Sequence, residues 1–494
     1  MKNKKFITAI LLLLLTLSAA AQDTFIQRGC RRGVMPAPTR SHRAADVSQR
    51  VGGDFYQGDR RQLVVLVSFT DLQFSDSDPV AAWNRIFNET NYTEAPFYGS
   101  LHDYFLAQSN GDFRLKFDLL YIALDQSRAK YRSTPGNTGN DENSQYLVND
   151  LVDVLQTRDI DWSLYDWNGD GYVNQLMIIY PGYGQNDGGD DNSIWPHQYW
   201  LSWHWKDYNK THQTTVHCEP RQVSSAGKSY LIDCYCALQE FANSKKYGSF
   251  GTICHEYTHC FGFPDFYGTS DSPREWDLMD YGNNNGEGFC PPNYSAHERW
   301  LMGWGSPTVL NTSTTISTMD QSLSYLIRND GHSDEYYIVE NRQQTGWDQA
   351  LPSSGLVVFH IDYDESTWIS SWPNTNNKKR YRIIPANNKP DYSPYSTSNQ
   401  KGWPYPYQAN DSLTNNSTPA ASLNNPNADG TYFMNKSLRD IKVENGLASF
   451  RFTVDSATGI EELRDPQSYQ ILYDLGPIYI IRYSNGEIKK VVKR

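Results

Sequence analysis

Residues 255–265 read His-Glu-Tyr-Thr-His-Cys-Phe-Gly-Phe-Pro-Asp, and no other stretch limits the fold so tightly. Two histidines four residues apart stack on one face of a helix, so the segment is expected to be helical through His259. Gly262 permits a left-handed terminus and Pro264 forbids continuation, so the helix must end there and the chain must turn. That turn carries Asp265 back toward the two imidazoles. His255 and His259 are therefore candidate zinc ligands with Asp265 as the third, which leaves a fourth tetrahedral vertex for water, as in a catalytic site. Glu256 sits at the edge of the same face, placed to take a proton from water without binding the metal. With 11 histidines in 494 residues, a bare His-Glu-x-x-His arises by chance in about one such chain in a hundred. Gly262 and Asp265 at their offsets lower that by about two further orders of magnitude. The competing reading is a buried helix carrying two hydrogen-bonded histidines.

Further segments resemble one family. Phe97 to Phe105 with Gln108-Ser109-Asn110-Gly111, Tyr180-Pro181-Gly182-Tyr183-Gly184 through Ile194-Trp195-Pro196-His197, Glu340-Asn341-Arg342-Gln343, and Gly355 to Asp362 accompany the histidine motif. Together they resemble the M6 peptidases of the immune inhibitor A type, which belong or are close to the metzincins. The resemblance spans roughly residues 60–455. It implies an α/β (α+β) metzincin-like catalytic domain and a zinc endopeptidase acting on proteins or peptides. It also makes Met279, in Trp276-Asp277-Leu278-Met279-Asp280-Tyr281-Gly282, a Met-turn beneath the ligands. Tyr281 then becomes a catalytic candidate, its hydroxyl placed to steady an oxyanion. One departure stands out: most metzincins carry His where this chain has Asp265, an oxygen ligand of shorter reach that offsets part of the metal's charge. Glu298, in His297-Glu298-Arg299-Trp300, is the competing third ligand.

Organisation follows from composition shifts. Residues 1–21 have a basic start, an apolar run and a small-residue end, the pattern of a secretory signal peptide; that run is too short to span a bilayer. Residues 22–58 lack apolar periodicity and read as a propeptide or leader. The run Gln62 to Phe69 and the run Leu176 to Tyr180 are expected as buried strands, and Ser144 to Leu155 as an amphipathic helix. These place the catalytic domain at 59–305. A β-rich, sandwich-like domain is expected over 306–458 and a distinct tail over 459–494. The tail resembles the C-terminal sorting domains of type IX secretion cargo, shortened, with one extra hairpin of the β domain as the alternative; it leaves cell-surface attachment open. A formal charge of −12 and a pI near 5.4 argue against nucleic-acid binding. The expectation is an exported, extracellular monomer without a membrane span.

Two more features bear on chemistry. Asp166, Asn168 and Asp170 hold positions 1, 3 and 5 of a calcium-loop pattern with Gly171 at position 6, although position 12 is Met177 rather than Glu; an Asx turn is the alternative. Six of seven cysteines fall in residues 218–290, enough for three disulfides in an exported protein, with reduced buried thiols as the alternative. The seventh, Cys30, lies in the leader, where its thiolate could latch the open zinc vertex. Two other functions fit less of the sequence: an adhesion protein with a vestigial zinc site, and a zinc hydrolase of a non-protein amide.

Overall fold

The computed structural model describes residues 56–132, 143–204, 206, 216–269, 271–370, 373–375, 377–390, 397–455, 460–462, 469–474, 478–483 and 488–492. The expected signal peptide at 1–21, nearly all of the expected leader at 22–58, and Cys30 lie outside the described residues. In the first half the elements run β1 (Gly58–Ser68), α1 (Pro79–Asn88), α2 (Leu101–Gln108), β2 (Phe113–Ala123), α3 (Ser144–Leu155), β3 (Leu176–Tyr183) and β4 (His197–Trp200). There follow β5 (Arg221–Ser225), β6 (Lys228–Ile232), β7 (Cys234–Ala242), β8 (Lys245–Lys246), α4 (Phe250–Cys260) and α5 (Ala296–Leu301). Strands β2, β1, β3 and β7 lie side by side in parallel; β4 and β8 both pair antiparallel with β7.

The uninterrupted apolar run of β1 is explained by what covers each face. Val64 and Leu66 pack with Ile253, Tyr257 and Phe261 around α4. Leu63, Val65 and Val67 pack with Leu147, Leu151 and Leu155 of α3 on the other side. A parallel strand buried on both faces needs no polar alternation. Helix α2 begins at a capping box formed by Ser100 and Asp103. It then sets Phe105 against Tyr257 and Phe261, with ring centroids 5.2 and 5.6 Å apart. The histidine-motif helix α4 is thus wedged between sheet and α2, and all of its residues are buried. Its first turn approaches the segment 281–288 so closely that a Cβ on Gly251 would meet the Asn283 carbonyl oxygen at 1.9 Å.

Downstream come β9 (Thr308–Val309), β10 (Thr314–Met319), β11 (Ser324–Arg328), β12 (Glu335–Arg342), β13 (Gly355–Asp362), α6 (Glu365–Ser370), β14 (Tyr381–Ile383), β15 (Lys436–Glu444) and β16 (Leu447–Val454). They form a five-stranded sheet, β14-β13-β12-β11-β9, and a three-stranded sheet, β10-β16-β15. Alternate residues of the larger sheet divide between two cores. Ile327, Tyr337, Val339 and Val358 meet Leu438, Phe450 and Phe452 of the smaller sheet. Leu326, Ile338, Val357, Phe359, Ile361 and Tyr381 join the same cluster as α4. The hydrophobic core therefore runs without a break from the motif helix into the downstream sheet.

The tail strands β17 (Ile460–Glu462), β18 (Tyr469–Asp474), β19 (Ile478–Tyr483) and β20 (Ile488–Val492) form a sheet of their own in the order β17-β20-β19-β18. Both edges of that sheet, β17 and β18, come from the tail itself. Among the described residues, no helix is long and apolar enough to cross a membrane.

Candidate metal centre

Helix α4 ends as its sequence requires. Gly262 adopts φ +98°, in the region that L side chains avoid. Its N–H donates to the His259 carbonyl at 2.8 Å. The chain reverses through Phe263 and Pro264, and one oxygen of Asp265, Oδ1, comes to rest 3.2 Å from His255 Nε2 and 3.2 Å from His259 Nε2. The imidazole rings stand at 88° with centroids 4.7 Å apart. All three side chains are buried, as is Glu256.

Backbone carbonyls fix both imidazoles. His255 Nδ1 lies 2.7 Å from the Leu278 oxygen and His259 Nδ1 lies 2.8 Å from the Phe263 oxygen. A carbonyl can only accept, so each Nδ1 carries the proton and each neutral ring turns an Nε2 lone pair inward. Two lone pairs and a carboxylate oxygen then share one small volume. Four ligands at about 2.0–2.1 Å from zinc stand about 3.3 Å apart, which the observed 3.2 Å separations match. The donor set of two imidazoles and one carboxylate also suits zinc chemically.

Charge in the pocket favours a cation. Burial works against protonating His255, yet its hydrogen bond to Asp265 and the nearby charges of Glu256 and Asp265 outweigh that and lift its pKa to about 9. Burial likewise opposes ionising Asp265, but the two histidines hold its carboxyl well below the usual range. Both carboxylate oxygens of Glu256 are buried with no hydrogen-bond partner, and its ligand atom lies within 4.8 Å of those of His255 and His259. Buried polar atoms are nearly always hydrogen-bonded, so two orphaned oxygens beside the histidines point to a group that completes the site in use.

The other sequence candidates fall in different places. Met279 is buried beside Leu278, and its carbonyl accepts from the Phe266 N–H at 2.8 Å, which ties the Met-containing turn to the residue after Asp265. Glu298 lies on α5 and is occupied in a capping box, accepting from the Ser295 N–H at 2.7 Å and the Ser295 hydroxyl at 2.9 Å. The Tyr281 ring is covered by the Arg274 guanidinium at 4.2 Å and faces Tyr267 at 6.1 Å. Tyr267 itself was not singled out by the sequence: its hydroxyl donates to Asp265 Oδ2 at 3.0 Å. The only signal for it was an aromatic two residues after a proposed ligand.

Asp166, Asn168 and Asp170 share one surface loop in which Gly169 and Gly171 have φ of +73° and +85°. Asp166 accepts from the N–H groups of Asp170 and Gly171 at 3.1 and 3.0 Å, and Asp170 accepts from Tyr172 N–H at 2.9 Å. Asp161 caps the short helix 162–164 by accepting from Ser163 N–H at 3.1 Å. Cys234, Cys236, Cys254, Cys260 and Cys290 are buried free thiols, the reduced alternative of the two that the cysteine count left open. Cys290 donates to the Trp347 carbonyl at 3.3 Å, whereas the Cys234 and Cys260 sulfurs touch at 3.9 Å.

A buried His–His–Asp cluster, with a glutamate whose oxygens lack hydrogen-bond partners among the described residues, sits beside a mixed sheet as a candidate metal centre. Residues 56–302 match the catalytic domain of the immune inhibitor A peptidase M6 family. The chain belongs to the M6 peptidases. It is similar to Immune inhibitor A of Bacillus thuringiensis subsp. alesti, at 26% identity over 301 residues, which cover 49% of this chain and 40% of that protein.

Proposed function

We propose that the protein is an exported zinc-dependent endopeptidase. The observation that carries this reading is the pair of orphaned Glu256 oxygens beside two imidazoles that share one Asp265 oxygen. His255, His259 and Asp265 would hold the metal. Bound there, zinc would polarise the scissile carbonyl and bring the pKa of water down to about 7. Glu256, buried beside the two histidines, takes the proton of the attacking water and delivers it to the leaving amine. The Leu278 and Phe263 carbonyls keep both imidazoles in the productive tautomer. Tyr267 orients Asp265, and Tyr281, next to it, offers a hydroxyl for the developing oxyanion. The metzincin-like reading of the catalytic unit is supported by the buried Met279 turn, which carries the carbonyl that His255 donates to.

Secretion is supported by the N-terminal segment 1–21. A structural calcium at Asp166, Asn168 and Asp170 is supported by ligand spacing and by the two left-handed glycines that curl the loop. The decisive experiment replaces Glu256 by Gln and measures casein cleavage together with zinc content. Loss of cleavage by several orders of magnitude with zinc retained is expected; undiminished cleavage refutes the assignment.

A further inference from the structure

The segment that supplies Asp265 and the Met279 turn is not held by the catalytic half alone. Residues 373–375 and 377–383, which lead into β14 of the downstream sheet, pack against it. Asn374 Nδ2 donates to the Phe266 carbonyl at 2.6 Å and to the Tyr381 carbonyl at 2.6 Å, while Asn374 Oδ1 accepts from Tyr381 N–H at 2.9 Å. The Tyr381 ring stacks on Phe266 at 3.9 Å and 22°. The Tyr381 hydroxyl donates to Asp277 Oδ2 at 2.9 Å, and Asp277 Oδ1 receives the Met279 N–H at 2.8 Å. Ile383 N–H donates to the Asp271 carbonyl at 3.2 Å, and Lys379 pairs with the Asp271 carboxylate at 2.7 Å. Asn374, Tyr381, Phe266 and Asp277 are all buried.

These contacts fall on the neighbours of the site residues rather than on the residues themselves. Phe266 adjoins Asp265, and Asp277 anchors the turn whose Leu278 carbonyl sets the His255 tautomer. A metal centre needs its ligands within about 0.5 Å of the working geometry, and the partners that hold them typically change metal affinity by about 10- to 100-fold when removed. We infer that Asn374 and Tyr381 are positioning residues for the zinc centre, so that the third ligand and the Met279 turn reach their working places only when the downstream sheet has docked. This inference rests on the reading of His255, His259 and Asp265 as zinc ligands.

The test uses the full chain. Zinc is stripped with a chelator and its affinity is measured by competition with a chromophoric chelator, in wild type and in Asn374→Ala, Tyr381→Phe and Tyr381→Leu. Positioning predicts affinity about 10-fold weaker for Asn374→Ala and Tyr381→Phe and about 100-fold weaker for Tyr381→Leu, which also loses the ring stack. The rise in Tm on adding zinc shrinks in the same order. Affinity and zinc-induced rise equal to wild type, with only a uniformly lower Tm, overturn the inference and leave these residues merely structural. Hydrogen exchange on the unaltered chain gives an answer even where a variant fails to fold. Zinc should slow exchange at the Tyr381 and Ile383 amides as well as at residues 255–280; protection confined to 255–280 overturns the inference while leaving the metal site standing. Failure of the wild type to bind zinc overturns the metal reading itself.

Discussion

The two loops that the sequence marks for metal differ in how their oxygens are used. Around α4, buried oxygens and nitrogens converge: one Asp265 oxygen lies 3.2 Å from each of two imidazoles, and the Glu256 carboxylate has no hydrogen-bond partner among the described residues. In the loop 166–171 the side chains lie near the surface and Asp166 spends both oxygens on backbone N–H groups. The first arrangement is costly unless something fills it. The second is stable as a turn by itself, and a cation would add to it rather than complete it. Ligand spacing alone does not separate these cases; burial and hydrogen-bond accounting do.

If that contrast is right, disturbing the two loops should have effects of very different size. His259→Ala should abolish both zinc retention and casein cleavage, the latter by several orders of magnitude; retained zinc in the purified variant would break the contrast. Asp265→Asn keeps the shape and removes the charge, so zinc affinity should fall by more than about 100-fold, beyond the range typical of outer partners. A change of less than tenfold would move the third-ligand role elsewhere.

Acid sharpens the comparison next. His297, buried among the rings of Tyr336, Tyr363, Trp368 and Tyr381, is held neutral by burial with its pKa pushed down to about 3. A histidine whose folded pKa lies below its unfolded value near 6.5 gives stability that is complete above that value and lost as pH falls from about 6.5 toward 3. Asp277 acts in the opposite sense, because burial raises its pKa to about 7 and its contribution is lost as pH rises from about 4 to 7. The measurement is therefore a difference. Wild type should lose, relative to His297→Gln, on the order of a few kcal/mol in urea unfolding between pH 6.5 and pH 4; parallel profiles would show that His297 is protonated without strain. The smallest effect belongs to the surface loop. Asp166→Ala should cost about 1 kcal/mol through its lost backbone hydrogen bonds. Calcium should raise the Tm of wild type by a few degrees and that of the variant by nothing. An equal response in both would leave the loop a plain turn.

Local features of the sequence carried far. The helix over 144–155, the buried strands at 63–67 and 176–180, and the stop at Gly262 follow from side-chain period and from backbone constraints at glycine and proline. The return of Asp265 to the histidines was legible for the same reason, since a turn of fixed length leaves few destinations. What the sequence hid is held over long separations. That Leu278 offers a carbonyl to His255, or that Asn374 reaches Phe266, depends on backbone atoms that every residue possesses. The cysteine count could not choose between disulfides and thiols because it ignores where each sulfur points: Cys254 lies in the aromatic core while Cys260 faces Cys234. Tyr267 and Tyr281 illustrate the same limit, for composition alone cannot say which of two neighbouring phenols touches a ligand.

The sheet β14-β13-β12-β11-β9 is greasy on both faces, one turned to each half of the molecule. A protein built this way cannot trade its front half for a relative's by simple gene fusion at residue 302, because the exchanged pieces would each carry an unmatched slab of side chains.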